Sequence, residues 1–237
     1  MNRRTFLSAV PGLTVLAATR SSFSEDANTA SRTSEDANAA SISAQTEVIK
    51  LNPPDLNKGI SLMQALKNRK TQRNISDKRV PLQQLSELLW AADGVNRPDG
   101  KRTSPAAMAI YSVDIYVVLP EGVYLYDVAK HQLTAVAKGD FRKAAGTQDF
   151  VYIAPVNLVY VLNFKGWQNA RSQVSDEKRI LWVHCEVGFL AQNVYLYCAS
   201  EGLGSTVRGI IDQKKFGEVI KVKPEQIVLA QTIGYPK

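Results

Sequence analysis

The chain has 237 residues, of which 45% are hydrophobic and 22% charged, so it can bury one sizeable core or two small ones. Residues 1–46 hold four arginines and four acids, so the net charge of +7 lies wholly in the remainder. A basic body suits an anionic ligand such as a phosphate, an anionic surface or simple solubility, while the lack of a dense basic run or recognised motif argues against nucleic acid.

The first 20 residues predict an export signal. Arg3 and Arg4 are followed by Phe6, Leu7 and the moderately apolar stretch Ser8–Ala18, which is too short to span a bilayer. This pattern resembles a twin-arginine signal, a pathway that moves folded proteins, often with a cofactor bound. The predicted location is therefore periplasmic, and the alternative is a cytoplasmic protein with an ordinary N-terminal tail.

Residues 21–46 are predicted to be a disordered linker. Ser24–Ala30 and Ser34–Ala40 repeat almost verbatim and are rich in Ser, Ala, Asn and acidic residues. Such a composition cannot bury a core. The folded domain is therefore expected to span residues 47–237.

Helices are expected to open the domain and strands to follow. Ser61 precedes a short amphipathic helix, and Pro81 fits the first position of a second helix that ends at Gly94. The remaining predicted elements are strands at Val113–Leu119, Val123–Tyr126, Asn157–Leu162 and Ile227–Ile233, a helical turn at Phe141–Ala145 and a helix at Lys214–Ile220. Because helices and strands are mixed without a βαβ alternation, the sequence predicts an α+β fold with a largely antiparallel sheet.

One long helix dominates the second half of the sequence. Ser175 is a plausible N-cap, two acidic residues follow it, and Gly202 ends the apolar pattern after roughly 25 residues, or about 37 Å. Apolar side chains occur on nearly all sides of this helix. We therefore expect it to lie in the core or in a subunit interface.

The few Cys and His residues do not indicate a metal or a nucleophilic site. Cys185 and Cys198 lie about 20 Å apart along the long helix, which is too far for a disulfide, so both are expected to fill the core, with an intersubunit pair as the alternative. His184 is expected to be a core or interface residue and His131 a surface residue. No metal-ligand cluster, Walker A loop or G-x-S-x-G elbow is present.

Several separated motifs, taken in order, resemble the FMN-dependent nitroreductase family. They are Arg69-Lys70-Thr71-Gln72-Arg73-Asn74-Ile75, the helix LSELLWAADGVNR, Ser104-Pro105-Ala106-Ala107, Ala191-Gln192-Asn193 with Glu201-Gly202-Leu203-Gly204-Ser205, and Ile233-Gly234-Tyr235-Pro236. The resemblance covers about residues 58–237. The segment from Thr103 to Leu133 is particularly similar to the branch that contains thiazoline and oxazoline peptide oxidases.

The resemblance implies a nitroreductase-like fold and an FMN site. Arg69, Lys70 and Thr71 would bind the phosphate by charge-assisted hydrogen bonds. The other residues that the resemblance assigns to the cofactor are Arg73, Ser104, Pro105, Ala106, Gly204, Arg208, Gly209 and Lys237. The resemblance also implies that backbone N–H groups of the turn Val207-Arg208-Gly209 lie near the flavin ring. No catalytic side chain is assigned, because the cofactor carries the chemistry.

The implied protein is a homodimer with FMN and the long helix at its interface, acting on a small-molecule substrate and an electron donor. A hydride would move from donor to acceptor by a ping-pong mechanism, or a substrate would be dehydrogenated. Residues 106–109 and the end of the chain at Lys237 depart from the family pattern. These departures favour an alternative, a flavin-free member that serves as a binding or scaffold protein.

Overall fold

The computed structural model describes residues 47–170 and 173–237, so the predicted signal and linker lie outside the described residues. In chain order the elements are β1 (Val48–Lys50), α1 (Leu62–Asn68), α2 (Leu82–Asp93), β2 (Val113–Leu119), β3 (Gly122–Asp127), β4 (Gln132–Lys138), α3 (Asp149–Ile153), β5 (Val156–Leu162), α4 (Asp176–Ser200), β6 (Gly204–Arg208), α5 (Gln213–Ile220) and β7 (Ile227–Gly234). Short 3-10 turns occur at Ala107–Ala109, Lys165–Asn169 and Pro224–Gln226.

The strands form one sheet in the order β1-β4-β3-β2-β5-β7-β6. All the pairings between these strands are antiparallel, which confirms the predicted α+β class with a largely antiparallel sheet. The central strand β5 is buried along its whole length, because both faces of the sheet are covered. Strands buried on both faces tolerate a nearly continuous apolar sequence, and β5 is apolar apart from Asn157.

The two faces of the sheet carry two separate hydrophobic cores. Helices α2 and α4 pack on one face, where Leu88, Leu190 and Tyr160 are fully buried. Helix α5 covers the other face with Phe216 and Ile220. The alternation of side chains along β2 and β5 supplies both cores at once.

Helix α4 begins and ends where the sequence predicts. The Ser175 hydroxyl accepts a hydrogen bond from the Lys178 amide, which is an N-cap. At the other end Gly202 has a φ of 71°, and the Leu203 amide donates to the Cys198 carbonyl at 2.9 Å. This is a Schellman ending, which needs a left-handed residue and therefore favours glycine.

The long helix buries only one face within the chain. Val183, Val187 and Val194 point into the core, whereas Leu181 and Phe189 lie on an exposed face. We expected this helix to lie in the core or in a subunit interface. Within a single chain, one of its faces lies in the core and the opposite face is exposed. None of the helices in the described residues is long and apolar enough to cross a bilayer.

The sequence patterns missed several elements. Strands β1 and β4 and helix α3 were not predicted, and β6 stands where a glycine turn was expected. Pro81 caps α2 instead of occupying its first turn. Strand β1 is a three-residue edge strand, and such strands depend on pairing with a neighbour more than on their own sequence, which explains why it left little signal.

Candidate functional site

A cleft of about 400 Å³ lies between α1, the C-terminal half of α4 and β6. Lys67, Lys70, Gln72, Tyr195, Gly204 and Ser205 are among its lining residues. Two of these, Lys70 and Gln72, come from the basic segment of residues 69–75, which was predicted to supply the phosphate ligands. The structure therefore brings the basic segment together with the turn after α4, although more than 120 residues separate them.

The segment that follows α1 is fixed along the free edge of β6. The Gln72 amide donates to the Ser205 carbonyl at 2.9 Å, and the Thr206 hydroxyl donates to the Gln72 carbonyl at 2.6 Å. A Cβ atom on Gly204 would lie 2.7 Å from Cγ of Gln72, so this close approach requires glycine. The edge of the sheet is thereby covered and the cleft gains a fixed wall.

Tyr195 joins three parts of the cleft. Its hydroxyl accepts a hydrogen bond from the Val207 amide at 2.8 Å and lies 3.2 Å from the Thr71 hydroxyl. The Arg69 guanidinium lies 5.4 Å from the centre of the Tyr195 ring, within the range of a cation–π contact. Tyr195 was not predicted as a site residue, because an aromatic residue on an apolar helix indicates a core position first.

The charge in the cleft is one-sided. Among the described residues that line it, Lys67 and Lys70 are charged and none is acidic. Arg69 lies at the C-terminal end of α1, where its amide donates to the Ala65 carbonyl. The arrangement therefore suits an anionic group.

Ser104 lies in a different, buried polar cluster. Its hydroxyl donates to Asp93 at 2.5 Å, and the Arg102 guanidinium donates to the other oxygen of Asp93 at 2.5 Å. Burial raises the pKa of Asp93 to about 6, although Arg102 and Ser104 act in the opposite direction. The Ser104 hydroxyl is thus held inside the protein. Pro105 is exposed and Ala106 is half-buried beside it.

Arg208 points away from the cleft. Its guanidinium donates to Thr232 at 2.9 Å, to Asn157 at 3.0 Å and to the carbonyls of Ala145 and Ile210, on the face of the sheet opposite α4. No carboxylate among the described residues pairs with it, and burial lowers its pKa to about 10. The side chain of Arg208 is therefore neither exposed nor turned toward the cleft, because sheet alternation turns it into the core. A cofactor contact through the backbone of Arg208 stays a prediction.

The remaining predicted site residues lie at the surface. Arg73, Gly209 and Lys237 are exposed, and the Lys237 amide donates to the Asn74 carbonyl at 3.0 Å. The chain end therefore lies beside the basic segment. Pro236, the residue before Lys237, lines the cleft.

The histidines and cysteines divide differently from the expectation. Cys198 is buried as predicted, but Cys185 and His184 are exposed on the outer face of α4 within a single chain. His131 is half-buried, not a simple surface residue. Its Nδ1 lies 2.8 Å from the Tyr126 hydroxyl and its Nε2 lies 2.8 Å from the Ser86 hydroxyl, and burial lowers its pKa. It links the β3–β4 turn to α2.

Comparison with known proteins identifies relatives of this chain. The family model described as the nitroreductase family matches residues 66–235. A protein of Methanocaldococcus jannaschii described as a nitroreductase is 31% identical over 193 residues, which are 77% of this chain and 95% of that protein.

Solved structures agree with this family assignment. A protein of Ralstonia eutropha described as a nitroreductase is 41% identical, with a TM-score of 0.72 over 80% of this chain and 90% of that chain. A further match is a chain of the E. coli microcin synthetase McbBCD complex with truncated pro-MccB17 bound. It is 18% identical, with a TM-score of 0.59 over 79% of this chain and 77% of that chain, which shows a shared fold. The chain belongs to the nitroreductase family, and this membership supports an oxidoreductase activity.

Proposed function

We propose that this protein is an FMN-dependent oxidoreductase that moves a hydride between a donor and an organic acceptor. The observation that carries the proposal is the cationic cleft between α1, α4 and β6. Its volume of about 400 Å³ is in the usual range for a cofactor or small-molecule site. The family assignment supports the oxidoreductase class.

The residues around the cleft fit an FMN phosphate. Lys70 lines the cleft, and Arg69 and Thr71 lie beside it against Tyr195, so they supply two positive charges and a hydroxyl. No acidic residue lines the described part of the cleft. Charge-assisted hydrogen bonds from such groups are the usual means of holding a phosphate. When bound, FMN would supply a centre that accepts and donates a hydride. The protein's own residues would bind, orient and shield it.

The proposal extends to kinetics and assembly. A donor and an acceptor would occupy the site in turn, which is a ping-pong scheme. A second copy of the chain would cover the outer face of α4, where Leu181 and Phe189 are exposed. A Leu181→Glu variant should then shift the mass measured by light scattering from dimer to monomer. A Val136→Glu variant, which changes an exposed apolar residue on β4, should not.

Export remains part of the proposal. The Arg3-Arg4 motif supports it, and replacement of both arginines by lysine should retain the protein in the cytoplasmic fraction of a bacterial cell. Equal fractionation of the variant and the parent would indicate a cytoplasmic protein with an N-terminal tail.

A titration with FMN and riboflavin tests the cofactor assignment. Flavin fluorescence quenching would give both dissociation constants for the parent and for Lys70→Ala. Because a charge-assisted hydrogen bond contributes about 1.5–3 kcal/mol, we expect Lys70→Ala to weaken FMN binding roughly tenfold to a hundredfold. Riboflavin lacks the phosphate, so its affinity should change little.

A matched control separates the site from general charge effects. Lys214 is exposed on α5, which covers the opposite face of the sheet. Lys214→Ala should bind FMN as the parent does. A parent protein that takes up neither FMN nor riboflavin would overturn the proposal.

The flavin-free alternative has one specific observation in its favour. The half-buried Tyr195 stands in the cleft, and its hydroxyl already holds the Val207 amide, which the family resemblance places near the flavin ring. In that case the parent would bind no flavin, whereas Tyr195→Ala would open the cleft and bind FMN. Binding by the parent at close to one FMN per chain excludes this alternative.

A further inference from the structure

The segment Arg102–Ser112, here called the strap, is held at both ends and exposed in its middle. Pro105, Met108 and Ala109 are exposed, and the last two have φ angles of 56° and 55°. Non-glycine residues in this left-handed region cost free energy, so the surrounding contacts must keep them there. The strap carries Ser104, Pro105 and Ala106, which the resemblance assigns to the flavin site.

Asp93 holds the first end of the strap. It is the last residue of α2 and is 0% exposed. Its two oxygens accept hydrogen bonds from Ser104 and Arg102, both at 2.5 Å. Arg102 is fixed further by Tyr111, whose ring lies 4.1 Å from the guanidinium and whose hydroxyl accepts from the Arg102 amide at 3.0 Å.

Glu186 holds the other end. It lies on α4, is 2% exposed, and accepts a hydrogen bond from the Ser112 amide at 3.1 Å. The Ser112 hydroxyl accepts from the Trp167 indole at 2.6 Å and donates to the Ile110 carbonyl at 3.0 Å. The strap is therefore anchored by one carboxylate from each of the two helices that pack on this face of the sheet.

The charges in this cluster do not balance. Asp93 and Glu186 repel each other, and both are attracted to Arg102. The other groups that face the cluster are Asp114 from β2, which is bonded to Asn163 and lies near Lys165, and the phenol of Tyr126 from β3. Arg102 therefore pairs with Asp93 and acts on Glu186 through its charge at longer range, so that one guanidinium faces two buried carboxylates. Burial raises the pKa of Asp93 to about 6 and that of Glu186 to about 7.

We propose that Asp93 and Glu186 are positioning residues that hold the strap closed while the pair carries a proton, and that the strap loosens when both carboxylates ionise. A carboxylate freed into water has a lower pKa than a buried one. The closed strap therefore binds protons more tightly than the open one, so rising pH favours opening. Because the strap carries Ser104, Pro105 and Ala106, its opening would also change flavin binding. That consequence rests on the proposed function, whereas the movement of the strap does not.

Hydrogen exchange of the full chain, measured by mass spectrometry at about pH 5.5 and about pH 8 and corrected for intrinsic exchange, tests the proposal. The amides of Arg102 and Ser112 report on the two ends. We expect their protection to fall roughly tenfold between the two pH values, as the linkage between a buried acid and its solvated form requires. No flavin is needed for this readout.

Isosteric variants identify which carboxyl groups cause the pH dependence of strap protection. Asp93→Asn leaves one carboxylate against one guanidinium, so protection of the strap should stay nearly constant between the two pH values. Glu186→Gln should have the same effect by the same reasoning. Asp99→Asn is the matched control, because Asp99 is exposed in the neighbouring loop and pairs with Lys101. It should keep the pH dependence of the parent.

Two results would overturn the proposal. One is hydrogen-exchange protection of the strap that, in the parent protein, stays constant or increases as the pH rises. The other is a pH dependence that survives in both Asp93→Asn and Glu186→Gln. If the parent shows the expected exchange behaviour but binds no flavin, the strap proposal stands and the proposed function fails.

Discussion

Replacement of Arg208 by methionine would show whether this buried guanidinium supports the fold or the cleft. Arg208 is 6% exposed and donates to four oxygen atoms, one of them two residues away at Ile210 and the other three in distant segments of the chain. Methionine fills similar space but cannot donate. The variant therefore removes the hydrogen bonds while leaving the apolar contacts of the side chain largely in place.

The expected loss of unfolding free energy depends on which hydrogen bonds each acceptor of Arg208 keeps in the variant. Thr232 and Asn157 keep their mutual hydrogen bond of 2.6 Å, and the Ile210 carbonyl belongs to an exposed residue that water can reach. The Ala145 carbonyl loses its donor while buried, which costs about 1–3 kcal/mol, and the lost bonds to a charged donor add to this. Relief of the buried charge offsets part of the loss. We expect unfolding free energy to fall by about 2–4 kcal/mol, which lowers Tm by roughly 5–15 °C.

Urea unfolding followed by tryptophan fluorescence, together with an FMN titration, would measure both effects. Arg79→Met is the control, because Arg79 is 81% exposed and should change stability by less than about 0.5 kcal/mol. Gly146→Ala offers a second test, since its added Cβ would overlap the Arg208 guanidinium. An Arg208→Met protein of unchanged stability that binds FMN tenfold less tightly would refute the reasoning, because the guanidinium would then serve the cleft.

Three further predictions concern charge, thiols and packing. The folded-state pKa of Asp93 is raised from 3.8 to about 6, so its contribution to stability is present below pH 3.8 and is lost as pH rises through 6. The free energies of unfolding obtained from urea titrations at about pH 4 and about pH 8 should therefore differ by about 2 kcal/mol less in Asp93→Asn than in the parent; an equal difference would contradict this. Maleimide should label exposed Cys185 of the single chain but not Cys198, whose burial raises its thiol pKa; peptide mapping that finds Cys198 labelled first would show the opposite. Leu88→Ala should lower the unfolding free energy by about 2–5 kcal/mol, because Leu88 is fully buried between α2 and the sheet, and a loss below about 1 kcal/mol would mean that the site collapses easily.

Sequence patterns were most reliable where local chemistry decides the structure. The N-cap at Ser175 and the glycine ending at Gly202 gave the limits of α4, and the predicted strand Val113–Leu119 has the observed bounds of β2. The ordered motifs also indicated the family, because the glycine, serine and basic positions occur in a fixed order. These signals depend on neighbours within a few residues.

Only the tertiary structure decided which residues share a site. The basic segment and β6 meet because hydrogen bonds from Gln72 to Ser205 and from Thr206 to Gln72 join distant parts of the chain. Arg208 turned away from the cleft because the strand that carries it alternates its faces, and that strand exists only by pairing with β7. The cluster of Asp93, Arg102 and Glu186 left no pattern in the sequence, because its members come from two helices and a loop that become neighbours when the helices pack on the sheet.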